Sequence, residues 1–156
     1  MTIPQDILER CDTLFLDRDG VVNVWLPGDY VKTWDEFRFN PGFLDFIGQY
    51  SGHFRHVIIV TNQRGVGRGL MTKDSLEDIH KRMLEGISAA GGRIDRIYVC
   101  TAVSESDPMR KPGKGMALQA MRDFPDITME HSLMIGDQPS DCTFAENCGM
   151  QFLLWE

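Results

Sequence analysis

Short apolar runs alternate with amphipathic stretches along this chain, and their order predicts an α/β fold. Thr13 to Asp17 reads as a first strand, its run Leu14-Phe15-Leu16 closing on an aspartate. Residues 20 to 40 hold Trp25, Pro27, Gly28, Tyr30, Trp34 and Phe37 without a sustained period, and predict an irregular flap or hairpin. Pro41 to Tyr50 predicts a short helix, with proline suited to its first turn. His56 to Thr61 is a continuous, β-branched run, the pattern of a strand buried on both faces. Thr72 then suits an N-cap, and Leu76, Ile79, Met83, Ile87 and Ala90 step by three and four residues along one helical face. Gly91-Gly92 stops that helix. Ile94 to Cys100 predicts a third strand, Gly115 to Asp123 a helix, and Ser132 to Gly136 a fourth strand. A short helix follows Pro139 and ends near Gly149, and Gln151 to Leu154 fits a last strand. Regular alternation of strand and helix implies a Rossmann-like three-layer sandwich, with a mostly parallel central sheet and helices on both faces.

Bulk properties narrow the picture. The chain's 156 residues suit one well-filled domain, so residues 1–156 are expected to form a single unit. Apolar content of 42% and charged content of 25% are ordinary for a globular protein. A formal net charge of −7 argues against binding nucleic acid through its phosphates. No stretch approaches the roughly 20 apolar residues of a membrane span. Met1 to Arg10 lacks a signal-peptide layout, so a cytoplasmic location is expected. Cys11, Cys100, Cys142 and Cys148 form no Cys-x-x-Cys pair and read as reduced, mostly interior residues.

Four polar clusters follow the predicted strands. Asp17 and Asp19 stand two residues apart after the first, with Gly20 behind them. At the carboxyl end of a buried strand, one carboxylate can attack or hold a metal while the other moves a proton. A calcium loop fits poorly, because Val21 and Val22 stand where oxygen ligands belong. Thr61-Asn62-Gln63-Arg64-Gly65-Val66-Gly67-Arg68-Gly69 follows the second strand and can aim hydroxyl, amide and backbone N–H groups at phosphate oxygens. It is neither a dinucleotide fingerprint, which needs glycine where Leu70 stands, nor a Walker loop. Arg110-Lys111-Pro112 offers a lysine able to neutralise an aspartate and a phosphoryl group together. Gly136-Asp137-Gln138-Pro139-Ser140-Asp141 closes the set, and Asp137 beside Asp17 makes a hard oxygen site suited to Mg²⁺. Taken singly, each cluster has a bland reading as a turn, a solvated basic pair or a helix cap; their order along one sheet edge points to a phosphatase.

These four clusters resemble, in order, the motifs of the haloacid dehalogenase superfamily of phosphohydrolases. Asp17-Arg18-Asp19-Gly20-Val21-Val22-Asn23, the Thr61-Asn62-Gln63 loop, Arg110-Lys111-Pro112, and the Tyr30-Val31 and Phe37-x-Phe39 flap are similar to its branch of D,D-heptose 1,7-bisphosphate and histidinol-phosphate phosphatases. The resemblance implies a Mg²⁺-dependent phosphomonoesterase working through an aspartyl-phosphate, without a separate cap domain. It implies a small phosphorylated metabolite as substrate, most like a heptose bisphosphate, with histidinol phosphate or a polynucleotide 3′-phosphate as alternatives, and neither nucleic acid nor membrane as a partner. Asp17 would be the nucleophile and Asp19 the general acid and base. Mg²⁺ would sit on Asp17, the Asp19 backbone carbonyl and Asp137, with Asp141 in support. Thr61, Asn62, Gln63, Arg110 and Lys111 would bind the phosphoryl group and substrate. Asn23, Trp25, Tyr30, Arg64, Arg68 and the loop after Cys100 would set specificity.

The acid role, an adjacent carboxylate and partial burial together predict a raised pKa for Asp19. Zinc-loop cysteines and a histidine, usual in that branch before the Arg-Lys-Pro motif, are missing; Cys100 alone stands there, so no structural zinc is expected. About 40 residues between the first and second clusters leave room for a flap but no lid domain. A rival from another class, a phosphorylated receiver domain, needs an aspartate ending the third strand, where Cys100 stands.

Overall fold

The computed structural model describes residues 1–156. In chain order the elements are α1 (Gln5–Arg10), β1 (Thr13–Leu16), α2 (Phe43–Tyr50), β2 (His56–Asn62), α3 (Arg64–Gly67), α4 (Lys73–Ala89), β3 (Arg96–Cys100), α5 (Gly115–Asp123), β4 (Ser132–Gly136), α6 (Pro139–Cys148) and β5 (Gln151–Leu154). The five strands form one sheet in the order β3-β2-β1-β4-β5, and every pairing is parallel.

Both faces of the sheet are covered, which is why its inner strands are apolar at successive positions. Leu14, Leu16, Val57, Ile59, Leu133 and Ile135 pack on one side with Phe43 and Ile47 of α2 and Ile79, Met83 and Ile87 of α4. Phe15, Ile58, Val60 and Met134 point the other way, against Met116, Ala117 and Ala120 of α5 and Phe144 and Ala145 of α6. After β1 the chain moves outward through β2 and β3, then returns to β4 on the other side of β1. The sheet therefore has a switch point between β1 and β4, where the carboxyl ends of strands open a crevice for ligands.

The predicted β1, α4, α5, β4, α6 and β5 fall where periodicity put them, within a residue or so at their ends. Thr72 caps α4, its hydroxyl accepting from the Ser75 N–H at 3.0 Å. α2 starts two residues later than expected because Gly42, at φ +84°, turns the chain into the left-handed region. β3 begins at Arg96 rather than Ile94, since the Asp95 side chain accepts from Val57 N–H at 2.8 Å in place of a ladder residue. α1 was not foreseen; it is six residues long and buries none of them fully, with Ile7 and Leu8 packed partly buried against the core. In the flap, only short pairing links residues 22–24 to 38–40, with Val24 N–H donating to Arg38 carbonyl at 2.8 Å. It carries an aromatic cluster, Phe37 stacking on Trp34 at 4.9 Å and meeting Phe39 edge-to-face at 5.1 Å between ring centres.

Candidate active site

Two adjacent strands deliver the central carboxylates. Asp17 follows β1, its N–H donating to Ile135 carbonyl of β4 at 3.1 Å, and Asp137 follows β4. Oxygens of Asp17, Asp137 and Asp141 lie within 4.8 Å of one another. Lys111 Nζ reaches in from the loop before α5 and donates to Asp17 Oδ1 and Asp141 Oδ1, each at 2.8 Å. Asp17 Oδ1 also accepts from Arg18 N–H at 2.9 Å. Asp141 Oδ2 accepts from the N–H groups of Asp137 and Gln138, both at 3.1 Å, so this residue of the first turn of α6 ties the β4 loop to Lys111. Gly20 is required here: its φ is +93°, and a Cβ would overlap the Asp137 carboxylate.

Three carboxylates and one ammonium leave two negative charges without a partner in a buried cluster. Burial pushes the Asp17 carboxyl well above its ordinary value; Lys111 opposes this, and the Asp141 charge adds to it. Asp137 is raised mainly by burial too. Lys111 is held above its usual range: burial works against its charge, but Asp17 and Asp141 outweigh it. A hard dication fits this donor set, and Asp137 Oδ1 is buried with no hydrogen-bond partner.

Asp19 sits differently from the expectation. Its carboxylate is not one of the close group of three. Oδ1 accepts from Arg18 Nη2 at 2.8 Å and Asn23 Nδ2 at 2.9 Å, and Oδ2 accepts from Gln63 Nε2 at 2.8 Å. Burial raises its pKa, but the Arg18 charge and the bonds from Asn23, Arg18 and Gln63 more than reverse this, so the carboxyl lies below its ordinary value. The predicted upward shift is thus corrected. Sequence alone showed the neighbouring carboxylates but not the three donors.

A cavity of about 230 Å³ opens over this cluster. Asp17, Asp19, Asn62, Arg110, Lys111 and Asp137 line it, with Trp25, Leu26, Tyr30 and Val31 of the flap opposite. Asp29, which the sequence did not single out, lines it as well, as do Gln138 and Ser140 of the fourth cluster. Thr61 is buried, its hydroxyl accepting from Gln63 Nε2 at 2.9 Å. The Asn62 amide grips the Lys111 backbone, accepting from its N–H at 3.0 Å and donating to its carbonyl at 3.2 Å. Gln63 was expected on the phosphate; both its amide contacts go to Asp19 and Thr61 instead. Asn23, expected to set specificity, is fully buried and holds Asp19. The glycine-rich loop is a helical turn rather than an open cradle, and the N–H groups of Val66, Arg68, Gly69 and Leu70 are spent within it. Arg64 and Arg68 are not among the residues lining the cavity; Arg68 donates to the Tyr30 hydroxyl at 3.0 Å. Arg110 Nη1 is buried without a hydrogen-bond partner, as are Arg64 Nε and Nη2.

Beneath the site, His80 of α4 sits against Arg18, with Nε2 3.1 Å from Nη1. Burial, and then the Arg18 charge, push its pKa from 6.5 down to about 3. In the unfolded chain His80 takes up a proton as pH falls through its ordinary value; in the folded chain it resists until far lower. His80 therefore contributes stability that is complete at neutral pH and lost as pH falls from about 6.5 towards 3. Between about pH 7 and about pH 4, the melting temperature of wild type is expected to fall more steeply than that of His80→Gln, which has no group titrating at this position. Parallel curves would show that His80 does not titrate this way.

Comparison with known proteins places this architecture. The family model described as polynucleotide kinase 3 phosphatase matches residues 28–156. The D-glycero-alpha-D-manno-heptose-1,7-bisphosphate 7-phosphatase of Mycobacterium bovis is 37% identical over 135 residues, 86% of this chain and 71% of that one. The beta-anomer 7-phosphatase of Rhodopseudomonas palustris is 36% identical over 149 residues, 90% of this chain and 81% of its own. The crystal structure of D,D-heptose 1,7-bisphosphate phosphatase from B. bronchiseptica, complexed with magnesium and phosphate, superposes with a TM-score of 0.85. It is 32% identical, and the match covers 92% of this chain and 79% of that one. The chain belongs to the haloacid dehalogenase superfamily of phosphohydrolases, in the branch of the heptose-1,7-bisphosphate 7-phosphatases. It is a phosphatase.

Proposed function

We propose that this chain removes the 7-phosphate of D-glycero-D-manno-heptose 1,7-bisphosphate, with Mg²⁺ as cofactor. The observation that carries the reading is the buried Asp17 carboxylate, held by Lys111 beside Asp137 at the floor of the cavity. Asp17, Asp137 and the Asp19 carbonyl would hold the ion, which when bound supplies positive charge against the phosphoryl oxygens and keeps Asp17 ionised. Asp141, committed to Lys111 and two backbone N–H groups, serves as a strut.

In the proposed reaction, an Asp17 oxygen bonds to phosphorus while the bond to the sugar oxygen breaks. Lys111 faces the charge that develops on the phosphoryl group. Asp19 passes a proton to the departing oxygen, then takes one from the water that cleaves the aspartyl-phosphate and releases inorganic phosphate. Its low intrinsic pKa suits the second half; a phosphate dianion brought alongside raises it for the first. Arg110, which lines the cavity and carries a buried N–H without a partner, suits the second phosphate of a bisphosphate, and neighbouring Arg64 adds to the positive field there. The flap's Trp25, Leu26 and Tyr30 give the sugar an apolar wall. No helix is long and apolar enough to cross a membrane, and the four cysteines are free, which supports a reducing compartment such as the cytoplasm.

Phosphate release from both anomers of the heptose bisphosphate, from histidinol phosphate and from a 3′-phosphorylated oligonucleotide tests this. One heptose anomer is expected to exceed the other two substrates by at least about 100-fold in kcat/KM, with activity lost in chelator and restored by Mg²⁺. Preference for the oligonucleotide, or full activity in chelator, would overturn the assignment.

A further inference from the structure

We propose that His80 is a positioning residue for the acid–base step, acting on Asp19 through Arg18. The inference rests on the reading of Asp19 given above. Arg18 is fully buried, an unusual place for a guanidinium. It has two polar anchors: Nη2 donates to Asp19 Oδ1 at 2.8 Å, and Nη1 lies 3.1 Å from His80 Nε2. Its Nε has no partner, and the ring of Phe37 lies 6.0 Å from its guanidinium carbon.

The chemistry fixes the direction of the His80 contact. Arginine stays protonated and can only donate, so Nε2 must accept and the ring proton sits on Nδ1. A neutral imidazole thus receives one arm of the guanidinium while the other arm holds the acid–base carboxylate. Gln63 and Asn23 pin Asp19 from its other sides.

Without an acceptor at position 80, Nη1 would be a buried donor with nothing to satisfy it. It need not stay so. A cavity of about 350 Å³ opens beside His80, bordered by Leu76, Val99 and Thr101. The guanidinium can turn towards it, or water can enter, and either change loosens Asp19. The consequence falls on transfer of the Asp19 proton to the leaving oxygen as the P–O bond breaks. The side chains of Asp17, Asp137 and Lys111 make no hydrogen bond to the side chain of Arg18 or His80.

Leaving-group dependence separates positioning from general damage. Phenyl phosphate needs its departing oxygen protonated far more than 2,4-dinitrophenyl phosphate does. In His80→Phe and His80→Asn, whose side chains offer no acceptor at the Nε2 position, kcat/KM for phenyl phosphate should fall at least about 10-fold, and for the dinitrophenyl ester less than about 2-fold. His80→Gln, whose longer amide oxygen can accept from Arg18, should keep near-wild-type values for both. Equal losses on the two esters in folded Phe or Asn variants, or equal loss in all three variants, would overturn the inference, as would full activity in all of them. Asp19→Asn serves as reference. If it loses equally on both esters, the acid role itself falls, and this inference with it. A leaving-group-dependent Asp19→Asn beside leaving-group-blind His80 variants overturns the His80 role alone.

Discussion

Asp17→Asn is expected to reduce phosphate release by on the order of 10⁴-fold or more while the protein stays folded. The substitution is nearly isosteric and keeps an oxygen for Lys111 Nζ and Arg18 N–H, which now bond Asp17 Oδ1 at 2.8 and 2.9 Å. It removes the proposed nucleophile, because an amide cannot form a stable acyl-phosphate and turn it over. Stability should not suffer. Asp17 belongs to a buried set of three carboxylates with only Lys111 against them, and its own charge is disfavoured there. Removing one negative charge relieves that excess, so the metal-free variant should melt at or above the wild-type temperature. Phosphate release and a melt in chelator check both halves. Activity within about 10-fold of wild type would move the nucleophile elsewhere.

Lys111→Met acts in the opposite sense on stability. Its ammonium is buried and bonded at 2.8 Å to both Asp17 and Asp141. Removing it strands two buried carboxylates, and breaking such a pair costs about 3–5 kcal/mol. The lysine stays charged beyond its ordinary value of 10.5, so this stabilisation is complete at neutral pH and lost only as alkali titrates it. Activity should drop by about 10³-fold even where the variant is folded, because the charge facing the phosphoryl group is gone. Denaturant unfolding in chelator and in Mg²⁺ would measure it. Mg²⁺ should recover part of the stability, since it compensates the same carboxylates, and little of the activity. A variant as stable as wild type in chelator would show that Lys111 does not hold the cluster together.

Much of this molecule could be read locally. The continuous Val57-Ile58-Ile59-Val60 run can be satisfied only with apolar surface on both faces, and the three–four spacing from Leu76 to Ile87 only by a helix. Asp17, Lys111 and Asp137 were legible as a converging set because parallel strands put every strand's carboxyl end on one edge. The elements misjudged were those governed by one residue's conformation or by a distant partner. Gly42 delayed α2, and Asp95 took a strand's place in the ladder.

Side-chain partnership was the hidden part. Asp19 looked like a carboxylate raised by its neighbour; Gln63, 44 residues away, and the adjacent Arg18 and Asn23 lowered it instead. Gln63 and Asn23 looked like groups facing substrate and proved to face Asp19. His80 looked like one more position on an amphipathic helix, and its contact with Arg18 spans 62 residues. By itself, then, the sequence determined the strand and helix order, the edge of the sheet where chemistry gathers, and the residue types assembled there, because these follow from periodicity and chain direction. Only the tertiary structure decided which donor meets which carboxylate, and with it the direction in which each carboxyl's pKa moves. Those pairings depend on ångström-scale packing between distant segments, which local pattern does not encode.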